Sequence, residues 1–323
     1  MVANPFDVSD LPQTASAPPT DGDMYADKGF RYLAAGAGVL VILLVIYIFW
    51  KIGGQAAPAM GRYGVGFLTD ATWNPAAETF GILGEIWGTL YSSLLALAIG
   101  GFFGIAVAIF LTQDFLDNRL ARVFRTIVEM LAAIPSVVYG LWGIYVVIPA
   151  IRPAANFLHE YLGFIPFFGT SLAGPGLAPA VIVLSIMILP TVAAISQDAL
   201  NLIPMKVKEA AYGMGTTRWE AIFKVMLPTA AAGIFGALVL GFGRALGETM
   251  ALAMLIGNSN NISLSLFAPA NTLASLLASK WPEAGQLEQQ ALMYAAISLL
   301  VITILVNIAG TWIMSRAATQ KVT

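Results

Sequence analysis

The chain has 323 residues, of which 58% are hydrophobic and 11% are charged, and its formal net charge is −2. A soluble domain carries about 45–50% apolar and about 25% charged residues, so this chain has too few charges to cover a water-facing surface of its size. The composition therefore indicates an integral membrane protein. Cysteine is absent and His159 is the one histidine, which excludes disulfides, thiol catalysis and a His-rich or Cys-type metal site. The net charge also gives no basic footprint for nucleic acid.

Residues 1–29 form a polar segment that carries five aspartates, at positions 7, 10, 21, 23 and 27. Such a composition cannot bury a core, so we expect a disordered acidic tail followed by a membrane domain over residues 30–323. A cleaved signal peptide would begin with a short basic region instead. The apolar run after the tail is therefore predicted to be a retained membrane anchor.

Six stretches are long and apolar enough to cross about 30 Å of hydrocarbon, which takes about 20 helical residues. We place them at 31–50, 86–111, 127–150, 177–197, 230–257 and 291–314. The runs lack the two-residue alternation of a membrane β-barrel, so they are predicted to be helices. The predicted fold class is an all-α integral membrane protein with six transmembrane helices.

The lysines and arginines predict the orientation of these helices. With both termini inside, eleven of them are cytoplasmic and four (Lys51, Arg62, Arg152 and Lys280) are outside, with Arg244 set apart within a span. Cytoplasmic loops are enriched in Lys and Arg, so both termini and the segment at 204–228 are expected to be cytoplasmic.

The segment at 204–228 reads PMKVKEAAYGMGTTRWEAIFKVMLP. Pro204 suits the first turn of a helix, and Gly213 and Gly215 can end that helix in a left-handed cap. Thr217 stands three residues before Glu220, which is the capping-box spacing for a second helix. These features predict a helix–turn–helix at the inner face of the membrane.

This segment resembles the EAA loop of ABC importer permeases. Glu209-Ala210-Ala211 is followed after three residues by Gly215 and, further on, by Leu227-Pro228, with every spacing of the 20-position pattern present. In that family the loop docks on a separate ATPase subunit and transmits its closure. The resemblance thus implies a type I ABC importer permease fold and assigns ATPase coupling to Glu209, Ala210, Ala211, Gly215, Leu227 and Pro228.

The fifth span carries charges where an apolar helix is expected, in the sequence GRALGETMA at residues 243–251. A charged residue near the middle of the membrane costs at least about 2.5–3.5 kcal/mol, so it marks a polar path or a pair. Arg244 and Glu248 are four residues apart and should share a helix face. An ion pair that only positions helices against a partner subunit is the alternative.

GRALGETMA, followed by IGN at residues 256–258, resembles the permeases of phosphate-specific ABC importers, in particular the PstC type. A guanidinium donates paired hydrogen bonds to tetrahedral oxyanions, and a carboxylate one turn away can weaken the bound state. We therefore expect Arg244, Glu248 and Thr249 to line the substrate path. Glu129, at the inner start of the third span, is a further candidate for that path.

The resemblance implies an assembly with a PstA-type permease, a PstB-type ATPase dimer and an extracytoplasmic PstS-type phosphate-binding protein in a bacterial plasma membrane. The chain has no GxxxxGK[ST] loop, so ATP and Mg²⁺ are expected on the ATPase and no cofactor or covalent chemistry on this chain.

Three alternatives stay open at this stage. An ABC permease for molybdate or sulfate would carry the same EAA loop. An ion-coupled secondary transporter would need no such loop and typically shows internal pseudo-symmetry, which the spans lack. A membrane enzyme would need clustered nucleophile, base and metal residues, and none are clustered here.

Overall fold

The computed structural model describes residues 21–113 and 115–319. The helices in this part of the chain are α1 (Asp21–Tyr63), α2 (Gly66–Thr69), α3 (Leu83–Thr112), α4 (Asn118–Ala133), α5 (Ser136–Trp142), α6 (Ile148–Leu162), α7 (Leu177–Asn201), α8 (Met205–Gly213), α9 (Arg218–Glu220), α10 (Leu227–Leu246), α11 (Met250–Leu255), α12 (Leu273–Lys280) and α13 (Gln286–Thr319). A two-residue antiparallel hairpin pairs β1 (Trp73–Asn74) with β2 (Thr79–Phe80). The described residues form two compact units that divide between Lys51 and Ile52.

Six helical segments of the described residues are long and apolar enough to cross a membrane, as the sequence predicts. They are Met24–Tyr63, Leu83–Thr112, Ser136–Leu162, Leu177–Asn201, Arg218–Leu246 and Gln286–Met314. Each overlaps one predicted span, so the all-α, six-span fold class is confirmed. Three of the predicted boundaries are wrong, and each error has a local cause.

The first boundary concerns the acidic tail. Helix α1 begins at Asp21, so residues 21–29 are helical and not disordered. An acidic residue in the first turn of a helix is stabilised by the helix dipole, which favours extending the apolar helix into the acidic segment. Residues 1–20 of the predicted tail lie outside the described residues.

The second boundary concerns the third span, predicted at 127–150. The helix breaks between α4 and α5, where Ile134 is extended (φ −69°, ψ 127°) because it precedes Pro135. The membrane span starts after the break, at Ser136, and continues through a π turn (Gly143–Val147) to Leu162. Glu129 therefore lies on the amphipathic helix α4, outside the span.

The third boundary concerns the fifth span, predicted at 230–257. The helix begins at Arg218, passes through a π turn at Ala221–Met226 and ends at Leu246. Residues 247–249 interrupt it before the short helix α11. The span therefore starts inside the predicted helix–turn–helix and ends earlier than its hydropathy indicates.

Glycines allow the central helices to approach closely. A Cβ added to Gly100 of α3 would lie 2.5 Å from the Ser185 carbonyl oxygen of α7, and one added to Gly104 would lie 2.9 Å from Val192 Cβ. Because both residue numbers rise together, α3 and α7 run parallel. Small residues permit this kind of backbone contact between membrane helices.

Helix α10 runs antiparallel to α7 and to α13. Gly233 faces Ala199 and Gly241 faces Val192, whereas Val239 packs on Gly310 of α13. This arrangement places α10 between α7 and α13.

The two ends of the bundle have separate apolar cores. At one end Phe67, Ile82, Leu276 and Leu292 are buried together, and Phe67 stacks on Tyr294 with ring centroids 4.4 Å apart. At the other end the loop containing α8 and α9 packs on the last turns of α3 and α7. We call the second of these the loop end.

Candidate functional site

The loop segment 204–228 folds as the predicted helix–turn–helix. Thr217 caps α9 in a capping box: its hydroxyl accepts from the Glu220 backbone N–H at 3.3 Å, and Glu220 Oε2 accepts from the Thr217 N–H at 3.1 Å. Helix α8 begins after Pro204, whose ring leaves no N–H to satisfy. Local sequence therefore fixes where both short helices start.

One glycine makes the turn between these helices. Gly215 has φ +82°, a left-handed conformation that residues with a Cβ rarely adopt. A Cβ at this position would meet no atom within 4 Å, so the backbone angle and not space is the constraint. Gly213, in contrast, is the last residue of α8, so of the two predicted capping glycines only Gly215 is left-handed.

The loop has a buried and an exposed face. Ala211 is 1% exposed and packs with Ile222, Met226 and Leu200. Glu209 and Ala210 lie on the exposed face. The EAA tripeptide thus anchors the loop through its third residue and presents its first two outward.

The loop is continuous with the fifth span. Across the π turn the Leu227 N–H donates to the Ile222 carbonyl, five residues back. Pro228 follows directly and has no N–H to donate within the helix, which fits a local change in hydrogen-bond register. Leu227 and Pro228 therefore lie inside one helix that runs from the loop into the bundle.

Arg244 lies in the last turn of α10, where a positive charge is favoured by the helix dipole. Its side chain is exposed, and its Nη1 donates to the Thr191 hydroxyl of α7 at 3.2 Å. Neither of the two ion pairs found among the described residues, Arg62–Glu78 and Lys224–Glu220, includes Arg244 or Glu248.

The expected single helix face for Arg244 and Glu248 is wrong. Gly247 and Glu248 leave the helix, and the Thr249 hydroxyl donates to the Gly247 carbonyl at 3.0 Å. A hydroxyl that bonds to nearby backbone competes with helical geometry, and glycine offers little resistance to a break. Glu248 and Thr249 are half-buried in this interruption.

A cleft of about 390 Å³ lies between α4 and α7, and we call it the α4–α7 cleft. Glu129 lines it, and so does Thr191, the hydrogen-bond partner of Arg244. The structure therefore brings Arg244 and Glu129 to one region, whereas Glu248 and Thr249 do not line this cleft. Asp198 lines it as an exposed residue near the end of α7.

The sequence reasoning missed three residues of this cleft. Thr191 contacts Arg244, and Arg125 Nε donates to the side-chain oxygen of the buried Gln197 at 3.2 Å. Polar residues within an apolar span are costly and mark functional positions, so Gln197 and Thr191 carried a usable signal. From the sequence, Arg125 indicates only the orientation of the chain.

A buried polar cluster holds the segment after the IGN motif against α3. Glu85 is 0% exposed, and its Oε1 accepts from the Asn271 side-chain amide at 3.4 Å. The Thr89 hydroxyl accepts from the Leu273 N–H at 2.9 Å, and Asn258, with φ +51°, accepts from the Ser275 hydroxyl at 3.0 Å. Asn258 of the motif therefore has a structural role at the start of α12. Within the described ranges no group of three His, Cys, Asp or Glu could hold a metal ion.

Sequence relatives extend over nearly the whole chain. A "Phosphate transport system permease protein PstC" of Mesorhizobium japonicum is 37% identical over 296 residues, covering 90% of both chains. The protein of the same name from Pasteurella multocida is 39% identical and covers 86% of this chain and 88% of its own. A "Probable phosphate transport system permease protein PstC" of Methanocaldococcus jannaschii is 35% identical over 89% of this chain and 93% of its own.

Solved structures of ABC transporters share the fold. A bacterial ABC transporter involved in the import of alginate matches with a TM-score of 0.60 at 17% identity, covering 91% of this chain and 98% of its own. The MetNI methionine ABC transporter in an inward-facing conformation matches with a TM-score of 0.53 at 21% identity, over 73% of this chain and 95% of its own. Residues 100–319 match the family described as "Binding-protein-dependent transport system inner membrane component". The chain therefore belongs to this family of ABC importer membrane subunits and, within it, to the PstC permeases.

Proposed function

We propose that this chain forms half of the translocation pathway of an ATP-driven importer of inorganic phosphate. Its proposed partners are a PstA-type permease, a PstB-type ATPase dimer that binds ATP and Mg²⁺, and a PstS-type phosphate-binding protein on the outer side. Both termini and the loop end face the cytoplasm of a bacterial cell in this proposal. Identities of 37% and 39% to proteins named phosphate transport system permeases support phosphate as the substrate.

The position of Arg244 supports a role for its guanidinium in binding phosphate. It is an exposed guanidinium in the last turn of a membrane-spanning helix, and it donates a hydrogen bond to a neutral hydroxyl, that of Thr191. A guanidinium can exchange such a hydroxyl for phosphate oxygens, because charge-assisted hydrogen bonds are roughly twice as strong as neutral ones. Thr191 thus holds the Arg244 side chain in place between substrates.

The carboxylates along the route favour release of the anion. Glu129 and Asp198 line the α4–α7 cleft next to Thr191. A like charge repels a bound phosphate, so an anion that leaves Arg244 toward the loop end enters a region that does not retain it.

The loop end supplies the coupling. Glu209 and Ala210 face outward from α8, where a cleft on the ATPase subunit can receive them. The same loop continues as one helix to Arg244. Closure of the ATPase dimer therefore moves the loop and the phosphate-binding guanidinium together.

The test is uptake of radiolabelled phosphate by phosphate-starved cells that lack this chain, complemented with wild type, Arg244→Gln or Arg244→Lys at matched membrane levels. Arg119→Gln is the matched control, because Arg119 is an exposed arginine on α4. We expect Arg244→Gln alone to abolish uptake and Arg244→Lys to retain part of it. Equal uptake by all variants would remove Arg244 from the pathway. Uptake that sulfate or molybdate suppresses would favour the other-oxyanion alternative.

The orientation of the chain in the membrane can be tested independently. The chain contains no cysteine, so an introduced cysteine is its one reactive thiol. A single cysteine at Ala210, on the loop end, should react with a membrane-impermeant maleimide only in inverted vesicles. A single cysteine at Ala76, between β1 and β2 at the opposite end, should react only in intact spheroplasts. The reverse labelling pattern would overturn the proposed direction of transport.

A further inference from the structure

An apolar groove on the outer face of α3 takes no part in the proposed path. The groove has a volume of about 540 Å³ and is lined by Ile105 and Ala106 of α3, by Phe115, and by Trp219 and Phe223 of the fifth span, with further aromatic and aliphatic residues around them. It lies at the loop end, where α3 ends and the fifth span begins. We call it the α3 groove.

Aromatic rings form one wall of this groove. The ring centroids of Phe115 and Trp219 are 5.2 Å apart, and those of Trp219 and Phe223 are 5.9 Å apart. Trp219 and Phe223 are more than half exposed, although Ala221, Ile222 and Met226 of the π turn that carries Phe223 are buried in the core. A π turn inside a helix is uncommon and is frequent at functional sites.

The positively charged side chain of Arg218 lies at one end of the groove. The guanidinium carbon of Arg218 lies 5.0 Å from the centroid of the Phe115 ring. Lys224, one π turn further along, is exposed and pairs with Glu220 at 3.0 Å. The groove is therefore an apolar slot within the membrane-spanning region that ends at a positive charge.

We propose that the α3 groove binds one acyl chain of an anionic phospholipid whose phosphate contacts Arg218. Apart from Phe115, the lining residues belong to the membrane-spanning segments Leu83–Thr112 and Arg218–Leu246, so hydrocarbon is the surrounding solvent. Basic residues at the cytoplasmic ends of such helices attract anionic headgroups by about 1 kcal/mol per cation. The acyl chain of the lipid fills the groove, and its phosphate lies beside the Arg218 guanidinium.

The residue types argue against a helix of another subunit as the occupant. Helix–helix contacts in membranes favour small residues that let backbones approach, and α3 uses such residues toward α7. The groove has large aromatic and branched side chains instead, with Ala106 as its one small residue. A thin, flexible acyl chain fits this surface better than a rigid helix.

The experiment uses the full transporter reconstituted in phosphatidylcholine vesicles that contain an anionic phospholipid with a photoreactive group in its acyl chain. After illumination, labelled peptides are quantified by mass spectrometry for wild type, Ala106→Trp and Arg218→Gln. Ala309→Trp is the matched control, since Ala309 is likewise an exposed alanine on a membrane-spanning helix, α13. Ala106→Trp fills the groove from α3 and leaves the coupling loop unchanged.

We expect labelling of the peptides around Phe115 and Phe223 to fall at least tenfold, about 1.4 kcal/mol, in Ala106→Trp and to be unchanged in Ala309→Trp. Arg218→Gln should lower it roughly fivefold, the equivalent of about 1 kcal/mol for one cation. Unlabelled phosphatidylglycerol should compete, and phosphatidylcholine should not.

Three results would overturn the proposal: equal labelling in wild type and Ala106→Trp, equal competition by both phospholipids, or labelling of the groove only when the partner permease is omitted. The labelling measurement requires neither phosphate nor transport, so it tests the lipid proposal independently of the proposed substrate.

Discussion

The guanidinium of Arg244 donates to the hydroxyl of Thr191 at 3.2 Å, and this bond joins helix α10 to helix α7 at the edge of the α4–α7 cleft. Thr191 follows Pro190, which lies within α7 and leaves a carbonyl of the preceding turn without its usual donor. The contact therefore forms beside a weakened point of α7. It ties the one charge in the last turn of α10 to a neutral partner.

Replacing Thr191 with Val keeps the shape of the side chain and removes this hydroxyl. We expect the KM for phosphate uptake to change by roughly fivefold, since an exposed hydrogen bond contributes about 1 kcal/mol. Thr229→Val is the control, because the Thr229 hydroxyl donates only to the Val225 carbonyl of its own helix. A Thr191→Val protein with wild-type KM would show that Thr191 does not hold Arg244.

The two glycines of the loop should respond to alanine with opposite signs. Gly215→Ala places a Cβ at φ +82° and should destabilise the loop by about 1–2 kcal/mol. Gly213→Ala lies within α8 in open space and should stabilise it by about 0.5–1 kcal/mol. The measurement is phosphate uptake together with the temperature at which the purified transporter loses monodispersity. Equal effects of the two substitutions would contradict the assignment of the turn to Gly215.

The parallel packing of α3 on α7 should depend on Gly100. In Gly100→Ala the new Cβ would come 2.5 Å from the Ser185 carbonyl oxygen, so the helices must separate, at a cost of about 1–3 kcal/mol. Gly236→Ala meets no atom within 4 Å and serves as the control on α10. Thermal stability in detergent tests this pair, and an unaffected Gly100→Ala protein would mean that α3 and α7 are not in backbone contact.

The buried carboxylate of Glu85 should tolerate loss of its charge but not of its shape. Glu85 is fully buried, and its Oε2 has no hydrogen-bond partner among residues 21–113 and 115–319. Glu85→Gln keeps an acceptor for Asn271 and removes a group that is costly when charged in an apolar site, so stability should be equal or higher. Glu85→Ala leaves Asn271 unpaired and a cavity behind, which should cost about 1–3 kcal/mol. A Gln variant as unstable as the Ala variant would show that the negative charge itself is required.

The sequence allowed the six spans and the loop to be predicted because both depend on local chemistry. Twenty apolar residues specify a span wherever they occur, and Thr217 with Glu220 specifies a helix start through bonds three residues apart. Helix boundaries were harder to predict, since apolar residues continue on both sides of Ile134 and of Gly247. Hydropathy cannot detect a break that arises from one proline, Pro135, or from the three residues Gly247, Glu248 and Thr249.

The α4–α7 cleft could not be predicted because it depends on packing between distant parts of the chain. Arg125 and Gln197 are 72 residues apart, and Arg244 and Thr191 are 53 apart. Each was visible as a polar residue in or near an apolar run, but no local spacing connects them. The prediction that Arg244 and Glu248 share one helix face is wrong because a spacing of four residues places two side chains on the same face only where the helix is continuous.

The uninterrupted helix from Arg218 to Leu246 also limits how the transporter can move. Its 29 residues extend about 43 Å at about 1.5 Å per residue. It contacts α7 at Gly233 and Gly241, in the half of the helix nearer to Leu246, so this part of the helix can act as a pivot. A tilt about such a pivot displaces the two ends in opposite directions at the same moment. Inward motion of the loop toward the bundle axis would then swing Arg244 away from that axis, with no intermediate state in which only one end has moved.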